Sequence, residues 1–387
     1  MLKSNIGSSI SANAEAAGRE AAVKAKSGLG EVKLAFAYAS VAYDLKQTLA
    51  GIAAELPGVP VVGNTSFTGV ITPDGFVGGD DGFVGVMALS GDSLTVGAAG
   101  CAKENDARET GRTAALEAMQ AAGQSTPPDF FYMAASPGEE EFYLKGITDV
   151  VGRVPFFGGS AADNSIAGEW SLYTDDDIFP DGVTVVFFYG ISMTNLFTGA
   201  YRETGDVGII TKVRDNRVLV EIDGVPAVKK YALWAGVDPD SLKGGDLLVY
   251  TITSPLGVKD RLGDLTAIRH PMNGNDDYSM NIGANLAEKT AVIRMEATVD
   301  ELVETASSAL EELKAKTSGQ AAAYHLVHCG GRRAGIGDRI GEVAEAVRKA
   351  AGGVPFIMEF TFGEYGFEDD GNNTTGGLML SYTAFGE

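Results

Sequence analysis

The fold is decided by a segment that runs from an apolar strand through a helix to a second strand opened by Val-Pro: KLAFAYAS (residues 33–40), an amphipathic stretch (residues 43–56) and GVPVVGNTSFTGVI (residues 58–71). The same order recurs as DFFYMAAS (129–136), a helix (139–151) and RVPFFGGSAADN (153–164), and again as AAYHLVHCG (322–330), a helix (338–351) and GVPFIMEFTFGEYG (353–366). Each copy is followed by a further apolar strand. This repetition predicts a duplicated β-α-β-β unit and an α/β architecture.

The connections between strands predict how the sheets are built. Strands such as GFVGVMAL (residues 82–89) return by short turns, and neighbouring strands that return directly are antiparallel. We therefore expect layered mixed or antiparallel sheets with outer helices rather than a doubly wound parallel fold. The first two copies are tandem and the third lies much further along the chain. The sequence thus predicts two domains, residues 1–216 with an internal duplication (about 8–104 and 105–201) and residues 217–387.

Two helices are clear from their spacing. Residues 299–314 carry apolar side chains at helical intervals, and Thr298 with Glu301 forms a candidate capping box. Residues 106–122 have a stripe of alanine and glycine, which predicts a helix lying close against a sheet.

Composition limits the possible partners. The 387 residues are 45% hydrophobic and 21% charged, within the range of globular proteins, and the formal net charge is −22. That charge disfavours nucleic acid and anionic membranes, although acidic surfaces often serve solubility alone. Two cysteines, Cys101 and Cys329, cannot form a disulfide framework. With no signal-peptide core and no apolar run of membrane-spanning length, we expect a cytoplasmic protein.

Two glycine-rich loops carry candidate ligand-binding residues at equivalent positions of the first two copies. Thr65 and Ser66 lie in GNTSFTG, and Ser160 and Asp163 lie in GGSAADN. Backbone amides beside hydroxyl groups can cradle a carboxylate or phosphate. Ordinary turns without a ligand are the alternative.

The third copy is the most polar. Glu364 and Tyr365 follow an apolar run, where a buried carboxylate requires a partner. Asn372, Asn373 and Thr374 could supply further polar contacts, and Arg332 could clamp a ligand carboxylate in bidentate fashion. The alternatives are a solvated loop and a structural salt bridge between Arg332 and Glu364.

Other chemistry is less favoured. Imidazole ligation of haem would require His270, His325 or His328, and His325 and His328 point to opposite faces of a strand. Cys329 shares a face with His325, which would permit a thiol-dependent hydrolase or transferase, but a buried structural cysteine is the commoner outcome. We predict no catalytic residues, no metal and no cofactor, with haem as the alternative.

Taken together, these segments resemble the FIST family of sensory proteins from about Lys33 to Tyr382. The matching elements include residues 63–69, residues 158–163 and the segment 220–231, followed by Cys329 with Arg332, Glu364 with Gly366, and Asn373 with Thr374. Tyr365 departs from the aliphatic residue usual in the family. Asn372 stands where the family often has histidine, which removes a candidate imidazole.

The resemblance implies a small-ligand sensor, with amino acids among the proposed ligands. It also implies an alternative, a haem-binding nitric-oxide sensor that controls a partner histidine kinase or cyclic-dinucleotide enzyme. The leading hypothesis is a receptor in which Arg332 takes the carboxylate of a metabolite and Glu364 takes its amine.

Overall fold

The computed structural model describes residues 1–175, 177–259, 265–367 and 373–386. Within these ranges it confirms the predicted α/β class, because multi-stranded mixed sheets carry helices on their outer faces and repeat the β-α-β-β unit. No helix in the same ranges has both the length and the apolar character needed to cross a membrane.

The chain contains three units of similar element order, the third with a long insertion. The first unit comprises β1 (Lys3–Ser9), α1 (Ala14–Lys26), β2 (Val32–Ala39), α2 (Leu45–Glu55), β3 (Val61–Thr65), β4 (Gly69–Thr72), β5 (Gly75–Gly78) and β6 (Val84–Ser90). The second comprises β7 (Thr95–Ala102), α3 (Ala107–Ala121), β8 (Phe130–Ala135), α4 (Glu140–Val151), β9 (Phe156–Ser160), β10 (Leu172–Thr174), β11 (Asp177–Phe179) and β12 (Gly182–Tyr189).

The third unit opens with β13 (Ser192–Thr198) and then departs into the insertion. The insertion contains β14 (Arg202–Arg214), β15 (Val218–Ile222), β16 (Val225–Pro226), α5 (Ala227–Ala235), α6 (Asp246–Tyr250), β17 (Leu256–Lys259), β18 (Thr266–Arg269), β19 (Pro271–Gly274), β20 (Met280–Ile282) and β21 (Ala291–Glu296). The unit resumes with α7 (Val299–Lys316), β22 (Ala323–Cys329), α8 (Gly330–Ile336), α9 (Ile340–Ala351), β23 (Phe356–Thr361), β24 (Glu364–Gly366), β25 (Thr374–Gly376) and β26 (Leu380–Gly386).

The three units share one strand register. In each, the first strand of the repeated segment pairs in parallel with the Val-Pro strand and antiparallel with the closing strand, as β2 does with β3 and β6. The carbonyl groups of Pro60, Pro155 and Pro355 accept hydrogen bonds from the amides of Ala35, Phe131 and Tyr324. Residues of the three units can therefore be matched position by position.

The hairpin that follows each Val-Pro strand joins the sheet of another unit. The first sheet has the order β1-β6-β2-β3-β10-β11, the second β25-β24-β9-β8-β12-β7, and the third β13-β26-β22-β23-β4-β5. Each unit thus gives a hairpin to one neighbour and receives one from the other. This cyclic exchange interlocks the three units about a pseudo-threefold axis, including the third unit, which the sequence places far from the other two.

The insertion forms its own eight-stranded sheet, with the order β18-β17-β21-β14-β15-β20-β19 and β16 beside β15. The helix α5 covers one face of this sheet. The apolar core between them includes Ile210, Ile222, Tyr231 and Leu242. The turn at residues 214–217, where the sequence places a domain boundary, joins β14 to β15 as a hairpin within this sheet. The domain limits themselves stay a prediction.

The helices confirm two local predictions. The buried stripe of α3 consists of Ala107, Gly111, Ala114, Ala115 and Ala118. At the start of α7, the Thr298 side chain accepts from the Glu301 amide and the Glu301 side chain accepts from the Thr298 amide, which is the predicted capping box.

Candidate functional site

The ends of the Val-Pro strands meet at the pseudo-threefold axis. There the amide of Phe67 donates to the carbonyl of Phe360, that of Ala162 donates to Thr65, and that of Phe362 donates to Ser160. Thr65, Ser160 and Phe360 occupy matching positions, so these three bonds form a closed backbone ring between the units, which we call the strand-end ring. The glycine-rich loops do converge, and their backbone groups bind each other.

The hydroxyl groups of Thr65 and Ser66 serve the same exchange of strands. Thr65 Oγ1 accepts from the amide of Ser171 at 2.9 Å, and Ser66 Oγ accepts from the amide of Phe360 at 2.9 Å. Ser66 also donates to the carbonyl of Gly69. Both side chains are fully buried, and in this structure their polar atoms are occupied by the protein.

Asp163 organises the loop that follows it. Its carboxylate accepts hydrogen bonds from the amides of residues 165–169, including Gly168 at 2.7 Å and Glu169 at 2.9 Å. The sequence predicted that backbone amides of this loop would bind the carboxylate or phosphate of a ligand. In the structure five amides do converge on a carboxylate, but it is the side chain of Asp163 in the same loop.

Ser160 and Tyr365 connect the second unit to the third and to the insertion. Ser160 Oγ lies 2.7 Å from Tyr365 Oη and 3.1 Å from Glu140 Oε1. Arg217, on the insertion, bridges Glu140 and Glu141. Burial raises the pKa of both carboxyl groups and the Arg217 charge lowers it. The net result is a raised pKa for Glu140 and a lowered pKa for Glu141.

Glu364 is fully buried at the start of β24, next to Cys329. Its Oε1 accepts from Thr361 Oγ1 at 3.0 Å, and its Oε2 accepts from the amide of Met379 at 2.8 Å. Burial raises the pKa of Glu364 to about 8 against the lowering effect of these bonds. The carboxyl group is therefore largely protonated at neutral pH.

Arg332 is also fully buried, on α8. It donates to the carbonyl groups of Gly199 (2.9 Å) and Leu302 (3.3 Å) and to Thr305 Oγ1 (2.6 Å). In the part of the chain that the structure describes, its Nε has no hydrogen-bond partner, and the Glu364 oxygens bond Thr361 and Met379 instead. The predicted alternative, a salt bridge to Glu364, is thus not formed.

Several buried polar groups surround Arg332. Its guanidinium lies 5.6 Å from the ring centre of Tyr201, and its charge acts on the pKa values of Glu364, Tyr382 and His328. Tyr382 Oη and His328 Nε2 also have no hydrogen-bond partner among the described residues. We call this region, between β22, β26, α7 and the start of the insertion, the Arg332 region. It contains the two residues on which the receptor hypothesis depends.

The remaining predicted contacts lie further along the chain. Asn373 donates from Nδ2 to the carbonyl of Val154 at 3.0 Å, and its Oδ1 has no partner among the described residues. Thr374 begins β25 and pairs with Gly366. Asn372 lies outside the described residues.

All three histidines are buried, and two of them use Nε2 in contacts within the protein. Burial lowers the pKa of His270 to about 4 and those of His325 and His328 to about 3, so all three are neutral. However, His270 Nε2 contacts the Leu248 carbonyl, His325 Nε2 contacts Tyr38, and His328 packs against Phe360 in the core. Four surface grooves of about 380–730 Å³ are lined by none of them.

Cys329 and His325 are separated along β22. The Cys329 sulfur accepts from the amides of Gly331 and Leu378 at 3.2 Å, whereas His325 lies among the aromatic rings at the axis. Burial raises the pKa of the Cys329 thiol well above its usual value. This arrangement supplies no thiolate–imidazole pair.

Sequence reasoning missed a polar network at the axis. Tyr38 Oη contacts His325 and lies 3.4 Å from Tyr132 Oη, Tyr132 donates to Asn64 Oδ1 (3.0 Å), and Asn64 donates to Glu359 Oε2 (2.9 Å). All five side chains are fully buried. The signal was Glu359 in the apolar run PFIMEFTF, at the position that matches Asn64 in the first unit.

The fold and the buried polar groups together define the class of protein. It is an α/β protein of three interlocked units, with polar side chains enclosed where the units and the insertion meet. Comparison with protein families finds two domains of one family. The FIST N domain matches residues 33–225, and the FIST C domain matches residues 227–366. The chain belongs to the FIST family. FIST domains are sensory domains, so the chain has a sensory role in signalling.

Solved structures give weaker likenesses. Cyanuric acid hydrolase from A. caulinodans aligns over 100% of both chains at 10% identity, with a TM-score of 0.37. Phosphoribosylformylglycinamidine synthase II from Thermotoga maritima aligns with 100% of this chain and 72% of its own at 11% identity, with a TM-score of 0.24. No curated protein matches the chain. At these values neither enzyme's activity bears on this protein.

Proposed function

We propose that this protein senses a small metabolite that carries a carboxylate, with an amino acid as the leading candidate, and that the ligand binds in the Arg332 region. The observation that carries the proposal is the environment of Arg332. A fully buried guanidinium contacts only neutral acceptors among the described residues and keeps an unpartnered Nε. Burying a cation without an anion is costly, so an anionic ligand would be stabilised there.

Glu364 is the proposed partner of the ligand's amine. Its carboxyl group is close enough to Arg332 for the two to interact electrostatically, and each of its oxygens accepts one hydrogen bond. A carboxylate oxygen has further acceptor capacity, so an ammonium group could bind without displacing these donors. The ammonium would also favour the ionised form of Glu364.

Thermal unfolding with a panel of amino acids, 2-oxo acids and dicarboxylates at millimolar concentration tests the proposal. A ligand at 100 times its Kd stabilises the folded state by about 2.7 kcal/mol, which raises Tm measurably. We expect at least one carboxylate to raise the Tm of the wild-type protein. Arg332→Met should abolish the rise, and Arg332→Lys, which keeps the charge but loses the fork geometry, should reduce it.

Arg333→Met is the matched control. Arg333 lies on the same helix, but its guanidinium stacks on Phe76, 5.0 Å from the ring centre. Its substitution should leave the ligand-induced rise in Tm unchanged. The proposal is contradicted if no carboxylate shifts Tm, or if Arg332→Met and Arg333→Met respond to the ligand equally.

We further propose that binding is reported to a partner protein in trans. The family resemblance gives a histidine kinase or a cyclic-dinucleotide enzyme as candidates. Tyr365 supports a path for the signal, because it follows Glu364 directly and reaches Arg217 of the insertion through Ser160 and Glu140.

A further inference from the structure

The polar network at the pseudo-threefold axis joins all three units. Tyr38 and Asn64 belong to the first unit, Tyr132 to the second, and His325 and Glu359 to the third. Asn64 and Glu359 each directly precede a residue of the strand-end ring, Thr65 and Phe360 respectively. The network and the ring are therefore adjacent layers of one contact between the units.

The hydrogens of the network can be assigned from its bonds. Tyr38 has a single hydroxyl hydrogen and donates it to Tyr132, so His325 Nε2 supplies the hydrogen for its own contact with Tyr38. Tyr132 then donates to Asn64, and Asn64 donates to Glu359 Oε2. Donation thus runs in one direction from His325 to Glu359.

The other carboxyl oxygen is the open end of this chain. Glu359 Oε1 is buried, has no hydrogen-bond partner among the described residues and lies 3.7 Å from His325 Nε2. The groups that face Glu359 are Asn64, His325 and the tyrosines Tyr38, Tyr132 and Tyr173, and no lysine or arginine in the described ranges forms an ion pair with it. An ionised Glu359 would be an uncompensated charge among aromatic rings.

We propose that Glu359 is a proton-binding site that holds the three units together. With a proton on Oε1, the carboxyl group is neutral and can donate to the hydroxyl oxygen of Tyr38, which faces it, and this closes the circuit. When the proton leaves to solvent, the carboxylate remains where the three sheets meet, and the strand-end ring loosens. The sensor would thereby respond to alkaline pH independently of its ligand.

The direction of the pH effect follows from burial. Burial raises the pKa of Glu359 to about 8, whereas an unfolded glutamate titrates at about 4.3. The stabilising contribution of the neutral group is fully present below the unfolded pKa and is lost as pH rises through about 8. Burial also lowers the pKa of His325 to about 3, so an ion pair between the two is not the resting state.

The first measurement is Tm between pH 5 and pH 9. The second is hydrogen exchange at pH 6.5 and 8.5, normalised to intrinsic rates, in the peptides that contain the strand-end ring. These ring peptides cover residues 60–68, 157–163 and 356–363. In the wild type, Tm should fall with pH and these peptides should exchange faster at pH 8.5. Glu359→Gln should unfold at a higher Tm than the wild type at pH 8.5 and suppress the faster exchange.

Glu364→Gln is the matched control, because Glu364 has a similarly raised pKa but lies outside the network. It should flatten the dependence of Tm on pH. Because its side chain bonds Thr361, the comparison uses the peptides covering residues 60–68 and 157–163, whose exchange should stay as in the wild type. The proposal is overturned if Glu359→Gln lowers Tm equally at pH 6 and pH 8.5, as loss of an ion pair would, or if both variants change the ring peptides alike.

A measurement on the wild type does not depend on the variant folding. The infrared carbonyl band of neutral carboxylic acids, with glutamate isotopically labelled, should persist at pH 6.5 and decrease as pH rises through 8. Glu364 contributes to the same band, so the part that belongs to Glu359 is the part that Glu364→Gln leaves in place. Absence of that part at pH 6.5 would overturn the proposal.

Discussion

At the scale of single residues, polar side chains at the strand ends satisfy the backbone before they can bind anything else. Ser66 and Asp163 are the clearest cases. Ser66 binds a strand of another unit, and Asp163 accepts hydrogen bonds from five amides of its own loop. Arg332 differs because a charged donor stays without an anionic partner among the described residues. Burial alone therefore does not identify a ligand residue, and the proposed role of Arg332 depends on its unmatched charge.

Gly158 illustrates a residue that the close parallel pairing of β8 and β9 requires. Its φ is 137°, and a Cβ built there would lie 1.9 Å from the backbone oxygen of Met133. We expect Gly158→Ala to lower the free energy of unfolding by more than about 2 kcal/mol, because the parallel pair of β8 and β9 must separate. Urea denaturation measures this change.

Gly341 provides the control for that substitution. It lies within α9, where a Cβ would meet no atom within 4 Å. Gly341→Ala should raise the free energy of unfolding by up to about 1 kcal/mol through helix propensity. Equal effects at the two glycines would contradict the steric argument.

At the scale of elements, α7 links local capping to the candidate site. Its first turn carries the capping box of Thr298 and Glu301, and the next residues supply the Leu302 carbonyl and Thr305 Oγ1 that hold Arg332. A helix whose start is fixed places these acceptors reproducibly.

Loss of the cap should weaken α7 by a predictable amount. We expect Thr298→Ala to lower the free energy of unfolding by about 1 kcal/mol, because the Glu301 amide loses its acceptor. Ser308→Ala, an exposed change on the same helix, should stay within about 0.5 kcal/mol of the wild type. Chemical denaturation compares them, and equal losses would argue against the capping role.

At the scale of the whole molecule, the exchanged hairpins make the three units interdependent. The second sheet obtains β24 and β25 from the third unit, and the third sheet obtains β4 and β5 from the first. The central apolar cluster likewise combines Phe36 and Phe157 with Ile357 and Phe385. Removing one unit exposes the core of the others.

A fragment of residues 1–216 should therefore fail to fold cooperatively. It would lack the hairpin that completes the second sheet and the strands against which β4 and β13 pair. Circular dichroism and thermal unfolding test this, with the same fragment co-expressed with residues 217–387 as the control. A sharp, independent transition of the isolated fragment would support two autonomous domains divided at the predicted boundary.

The sequence by itself determined the repeated β-α-β-β units, the outer helices, the capping box and the family resemblance, because strand and helix periodicity, turn residues and caps are local properties. Only the tertiary structure decided that the hairpins exchange between units and that Thr65, Ser66 and Asp163 bind the protein's own backbone. It also brought Glu359, His325 and Tyr38 together from distant segments. Partners in space depend on which strands become neighbours, and strand alternation is the same whichever sheet a hairpin joins.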